Sequence, residues 1–313
     1  MPIDLSMLAS KLRRYREQFR VTVTEMSAET GIPEGTLTSY ESGSLEPTGD
    51  DILILADYFR CDYRFFVSGE RVAPFEQTEI LFRKHGDDFS KADRRVVQEF
   101  LFLCACEEFL LQELGHTRRP FQFTKTGTHF KTHGQAAAVA LRAHLDYPAN
   151  EVPMDVYRDF RSIGLHVFRR HLANSGISGL YIKDPVAGPC VLVNYDEDTY
   201  RQRFSVAHEA GHAILDSEEE VVVSHRNGKW GQGRRQEIRA NAFASAYLMP
   251  SDLLSHIPDA RVWDEHKATL WASKLKVSTT ALAIALSSAG LVPASVATRL
   301  KAARVPADSK SDP

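Results

Sequence analysis

The sequence predicts a multidomain protein: an all-α domain over residues 1–70, an α+β domain over 136–250 and a C-terminal helical segment over 251–305. Three observations lead there. A chain of 313 residues with 43% hydrophobic content exceeds what one core of ordinary size takes up. Apolar residues recur at helical spacing through the first 70 residues. Beyond residue 136, helical stretches flank two short apolar runs split by a Pro/Gly turn, "LYIKDPVAGPCVLVNY", which is a hairpin pattern in a helical setting.

In the first domain the spacing predicts helices over 5–19, 22–30, 33–41, 50–59 and 63–67, punctuated by Gly31 and Gly43. Leu8, Leu12, Tyr15 and Phe19 share one helical face, and Ile52, Leu55, Ala56 and Phe59 share another. Short helices with one apolar stripe each must pack on one another. The run from Met26 through Gly31-Ile32-Pro33, then Leu37 to Gly43 and Pro47, resembles the helix-turn-helix of the XRE/Cro repressor class. That resemblance implies that the helix after Gly31 enters the DNA major groove and faces bases with Glu34, Thr36, Thr38 and Ser39. The reading head departs from the family: Val23 stands where a Gln is usual, and "PEGTLTSYE" has no Arg, Lys, Asn or Gln for bidentate base contacts. Seven Lys/Arg against twelve Asp/Glu make residues 1–70 net −5, which is poor in the cations that counterion release requires. Arg13, Arg14, Arg16 and Arg20 are the candidates for a local basic edge. DNA and a protein partner both stay open for this domain.

Residues 71–135 read as a helical connector. Arg71-Val-Ala-Pro74 is turn-prone, and an amphipathic helix over 92–114 carries Leu101, Leu103, Phe109, Leu110 and Leu114, a connecting helix and candidate homodimer contact. "FQFTKTGTHFKTHGQ", within an acid-free stretch between Glu113 and Asp146, reads as a linker or exposed loop; His129 and His133 there lack a supporting third ligand. The cysteines Cys61, Cys104, Cys106 and Cys190 make no disulfide framework, and Cys104-Ala-Cys106 lies in an apolar helical run that suits buried thiols better than a metal. No apolar run is long enough to span a bilayer and no secretory leader opens the chain, so a cytoplasmic setting without a membrane partner is expected. The tail over 306–313, "PADSKSDP", is expected to be disordered.

The chemistry concentrates in "RQRFSVAHEAGHAILD". Phe204, Ala207, Gly211, Ile214 and Leu215 recur at helical spacing, so His208 and His212 fall one turn apart on one face. Both imidazoles can then reach one Zn²⁺, Glu209 can meet a water in the fourth position, and Ala210 and Gly211 leave room beside the metal. Leu215 and Glu218 occupy the positions where metzincins require Gly and His, which excludes that class. For a third ligand, Glu237 opens the next helical run, "QEIRANAFASAYLMP", as in gluzincins; His225 is the runner-up, while Glu218, Glu219 and Glu220 read as a solvated acidic turn. Tyr247, His225 and Arg239 are the candidates for stabilising a tetrahedral oxyanion.

"RQRFSVAHEAGHAIL" followed by "EIRANAFASAYLMP" resembles the ImmA/IrrE family of bacterial metallopeptidases, in which an XRE-type helix-turn-helix often precedes the peptidase domain. The resemblance spans about 140 to 290 and reaches the helical stretch over 270–292. It implies a zincin-like, gluzincin-type fold with zinc ligands His208, His212 and Glu237 and catalytic Glu209, the ligands also accepting Mn²⁺ or Co²⁺. It further implies metal-assisted hydrolysis of a regulatory protein, typically an XRE-type repressor, in a stress or mobile-element response. The alternative expectation is a non-proteolytic transcription regulator or antitoxin-like sensor, with a structural or ligand-sensing metal domain.

Overall fold

The computed structural model describes residues 4–68, 76–116, 118–226, 234–307 and 310. It divides into two compact units: residues 1–114 with 171–174, and residues 115–170 with 175–313. The expected turn at Arg71 to Pro74 and most of the 306–313 tail fall outside the described residues.

The first unit is helical: α1 (Leu5–Gln18), α2 (Val23–Thr30), α3 (Glu34–Ser42), α4 (Gly49–Phe59), α5 (Arg64–Val67), α6 (Glu76–His85) and α7 (Lys91–Glu113). Local chemistry sets the ends. Asp4 caps α1, Thr22 and Glu25 form a reciprocal capping box on α2, and Gly31 at φ +75° closes that helix in the left-handed region. The anticipated stripes are the core: Leu8, Leu12, Tyr15, Phe19, Ile52, Leu55, Ala56 and Phe59 are all buried, joined by Met26, Leu37 and Tyr40. Helix α6 has no counterpart among the expected helices. Its buried residues include the adjacent Leu81 and Phe82, a pair too short to display a helical period. At the far end of α7, Phe109, Leu110 and Leu114 are exposed.

The arginines expected to form a basic edge on α1 are engaged with acids and carbonyls of the same unit. Arg16 makes a fork with the buried Glu41 carboxylate, at 2.7 Å from Nε and 2.9 Å from Nη2, and Arg13 donates to the Glu41 carbonyl. Arg14 pairs with Glu79, and Arg20 lies 3.6 Å from Asp87. An acid-rich domain recruits its own arginines for packing, because a buried carboxylate such as Glu41 is costly without a partner.

The second unit comprises α8 (Phe130–His144), α9 (Val156–Ser162), β1 (His166–Arg170), β2 (Ile177–Asp184), β3 (Gly188–Asn194), α10 (Thr199–Leu215), β4 (Val221–His225), α11 (Arg234–Leu248), α12 (Ser251–Ser255), α13 (Glu265–Leu275), α14 (Thr279–Ser288) and α15 (Ala294–Leu300). Strand order is β1-β3-β2-β4. The expected hairpin is the antiparallel β2–β3 pair; β1 runs parallel to β3, and β4 pairs antiparallel with β2 across a register shift between Ile177 and Gly179. Strand β4 was not anticipated, being only five residues directly after the acidic turn. One core runs from Ala137 to Val305, so the helices beyond Pro250 share it with the sheet.

The stretch read as an exposed linker is only partly so. Helix α8 begins at Phe130, and His133 is buried in it with Nε2 3.1 Å from the Gly127 carbonyl, a packing role that sets it apart from metal binding. Cys104 is buried and Cys106 half-buried, and neither belongs to a metal-competent cluster among the described residues.

Helix α11 lies between α8 and α10, and glycine permits both approaches. A Cβ at Gly134 would lie 2.2 Å from the Arg239 carbonyl oxygen and 2.7 Å from the Phe243 nitrogen, and one at Gly211 would lie 3.1 Å from Ala240 Cα. Gly134→Ala would ordinarily stabilise a helix by about 1 kcal/mol. Here the backbone overlap opposes that gain, and we expect a net loss of about 2 kcal/mol, read as a lowered denaturant midpoint with unchanged slope. An unchanged or raised midpoint would refute this account of the crossing.

Candidate metal centre

Helix α10 carries the site and is buried over most of its length, from Tyr200 to Leu215. Its N-terminus is capped by Asp198. The fully buried Arg203 donates to the Pro153 and Met154 carbonyls and to Lys276 O, which ties the helix to the loop before α9 and the end of α13. On so firmly held a helix, His208 and His212 project one turn apart, and their Nε2 atoms lie 3.1 Å from each other.

Glu237, in the first turn of α11, meets both rings: Oε2 is 3.4 Å from His208 Nε2 and Oε1 is 3.4 Å from His212 Nε2. The positive end of the α11 dipole favours its negative charge. Burial alone would raise its pKa, but the two imidazoles beside it outweigh burial and hold the carboxyl well below the usual range. His212 is subject to the reverse balance: burial would lower its pKa, yet Asp216 and Glu237 raise it to about 10.

The three donor groups fit a divalent metal. A tetrahedral centre with Zn–N near 2.0–2.1 Å sets its ligand atoms about 3.3 Å apart, and the separations here are 3.1 and 3.4 Å. One atom from each of His208, His212 and Glu237 falls within 4.8 Å of the others. Glu209 supplies an independent indication. Its carboxylate is fully buried with neither oxygen hydrogen-bonded, and burial raises its pKa. A buried carboxyl without a partner is costly, and a metal-held water beside it would relieve that cost. Ser224 Oγ on β4 lies near enough to act on Glu209, but no hydrogen bond of normal geometry joins them.

Other parts of the site were not legible in the sequence. Asp216, fully buried at the end of α10, accepts from His212 Nδ1 at 3.0 Å and is paired with Arg239. Its signal was the four-residue spacing from His212, which places the two on one helical face. Gly179 on β2 makes room for the acid, since a Cβ there would come 2.9 Å from Glu209 Oε1.

Three expectations need correction. Gly211 leaves room for α11 rather than for the metal. Tyr247 hydroxyl donates to Asp159 at 2.7 Å and Arg239 Nη2 pairs with Asp216, so both side chains are engaged within the fold. His225 sits at the exposed end of β4 and is not part of the cluster formed by His208, His212 and Glu237.

The residues expected to face DNA occupy α3. Glu34 and Thr38 are exposed, Thr36 and Ser39 half-buried. The hydroxyls of Thr38 and Ser39 donate to their own helix, at Glu34 O and Gly35 O, each at 2.8 Å.

Residues 160–287 match the family model of the IrrE N-terminal-like domain, a peptidase family, and residues 12–66 match a helix-turn-helix model. None of the curated proteins matches the chain.

Metal binding is directly measurable. The chain should take up one Zn²⁺, and at free metal 100-fold above Kd should gain about 2.7 kcal/mol of stability that a chelator removes. His212→Ala should weaken binding by more than the roughly 10–100-fold that losing an outer-shell partner costs. Wild-type affinity in His212→Ala, by chelator competition, would place the metal elsewhere.

Proposed function

We propose, for a chain that joins an XRE-type helix-turn-helix domain to an ImmA/IrrE-like metallopeptidase domain, that it is a zinc-dependent endopeptidase acting on a regulatory protein. An XRE-type repressor in a stress or mobile-element response is the substrate class this architecture suits. The observation that carries the reading is the convergence of His208, His212 and Glu237 beside the buried, unpartnered Glu209 carboxylate.

A divalent metal held by those three residues supplies Lewis acidity toward a water and a peptide carbonyl; Zn²⁺ suits the donor set, and Mn²⁺ or Co²⁺ would also be accepted. The chain supplies the rest. Glu209, its pKa raised by burial, takes a proton from the attacking water and returns it to the leaving amine. Asp216 holds the His212 ring through Nδ1, so that Nε2 faces the metal position.

The helix-turn-helix domain supports DNA binding by its class and a protein partner by its charge. Residues 1–70 are net −5, and Arg13, Arg14, Arg16 and Arg20 are engaged within the unit. Docking a repressor on this domain while the second unit cleaves it is the arrangement we favour. No helix among the described residues is long and apolar enough to cross a membrane. A cytoplasmic setting, where thiols stay reduced, suits cysteines that form no disulfide among the described residues. The competing reading is a non-proteolytic regulator, favoured by the attached helix-turn-helix match.

Glu209→Gln separates the two. New protein N-termini compared by mass spectrometry, in stressed and unstressed cells carrying either form, should include cuts that fall by at least about 100-fold in the variant. If folded, metal-loaded wild-type and variant proteins yield the same N-termini, the peptidase reading fails and the regulator reading takes its place.

A further inference from the structure

Arg239 stands outside the ligand set yet is held with more care than a surface arginine. It is 8% exposed, its Nη2 pairs with Asp216, and its guanidinium lies over the Phe130 ring at 5.7 Å. Its backbone is gripped as well, because the Gly134 turn of α8 packs against the Arg239 carbonyl. Asp216 has zero exposure and divides its two oxygens: Oδ1 faces Arg239, and Oδ2 is 3.0 Å from His212 Nδ1. A contiguous chain therefore runs from α8 through Phe130, Arg239 and Asp216 to a ligand imidazole.

We propose that Arg239 is a positioning residue of the metal centre, acting through Asp216 to fix the ring plane of His212, with Phe130 of α8 holding the guanidinium in place. The inference rests on the metal-site reading above. Its physical basis is the two-oxygen division. A carboxylate with one partner can swing about its Cβ–Cγ bond and turn either oxygen toward the imidazole. Pinning Oδ1 to a guanidinium removes that freedom and leaves Oδ2 as the fixed acceptor for the Nδ1 proton. That bond fixes the tautomer, which leaves the His212 Nε2 lone pair for the metal. The role gives this buried arginine, whose Nε has no hydrogen-bond partner, a function beyond packing.

The test is a double-mutant cycle on the full-length chain, with Zn²⁺ itself as the probe. Zn²⁺ affinity is measured by competition with a chromophoric chelator for the wild type, Arg239→Gln, Asp216→Ala and the double variant, alongside the melting temperature of each metal-free protein. Arg239→Gln should weaken binding by roughly 10-fold or more and should add little once Asp216 is alanine. The visible spectrum of the Co²⁺-substituted protein should change in Arg239→Gln and Asp216→Ala in the same sense, a signature that lost packing alone would not give. Arg239→Met removes the guanidinium while keeping an unbranched side chain and serves with the same readings if the glutamine variant does not fold. Unchanged affinity, or losses that add independently of Asp216, would overturn the proposal while leaving the metal site standing. Wild-type protein that does not bind Zn²⁺, or binds it equally well as His208→Ala, would instead overturn the metal-site reading.

Discussion

Two imidazole nitrogens held 3.1 Å apart, each 3.4 Å from a carboxylate oxygen, form a donor set that one divalent cation would bridge. With both rings neutral and unprotonated on those faces, the lone pairs would repel. A proton between them satisfies one pair of atoms, whereas a metal satisfies all three groups at once. The rest of the second unit can be understood as the structure required to hold that cluster. Helix α10 is buried along its length and tied by Arg203, α11 crosses it closely at Gly211, and α8 crosses α11 at Gly134. Small residues at these crossings bring backbones near enough for Glu237 to reach a site built on another helix.

The same economy governs the acids around the cluster. Glu209 is fully buried without a hydrogen-bond partner and lies against Gly179 of β2, where a Cβ would come 2.9 Å from its Oε1. Asp216 is equally buried but fully engaged, between an imidazole and a guanidinium. Two carboxyls on one helix thus have opposite environments. In the proposed mechanism the unpartnered one accepts a proton and the partnered one orients its neighbour. In the first unit the arginines are likewise spent on internal acids, Arg16 on Glu41 and Arg14 on Glu79, so the helix-turn-helix class does not by itself bring a free cationic surface.

The period of Leu8, Leu12, Tyr15 and Phe19 places them inside a helical unit, where they are buried, and the Pro/Gly interruption between the runs "LYIKD" and "CVLVNY" is an antiparallel pair. The four-residue spacing of His208 and His212 put both rings on one face, because 3.6 residues make a turn. What escaped were elements with too little local signal: α6, with its adjacent apolar pair; β4, five residues after an acidic turn; and the first turn of α8, read as part of a basic loop because Gly134 and the lysines mask its period. His133 belongs to that error, since it is buried where the sequence pattern predicts an exposed loop.

The sequence by itself determined which side chains share a helical face and which residues begin or end each helix, since both follow from interactions within a few residues. Only the tertiary structure decided that Glu237 closes on the two histidines while His225 does not join them, that Arg239 pairs with Asp216, and that Gly211 serves a helix crossing. Each of those outcomes depends on the distance between helices, and that distance is set by side chains packed from remote parts of the chain, which no local pattern encodes.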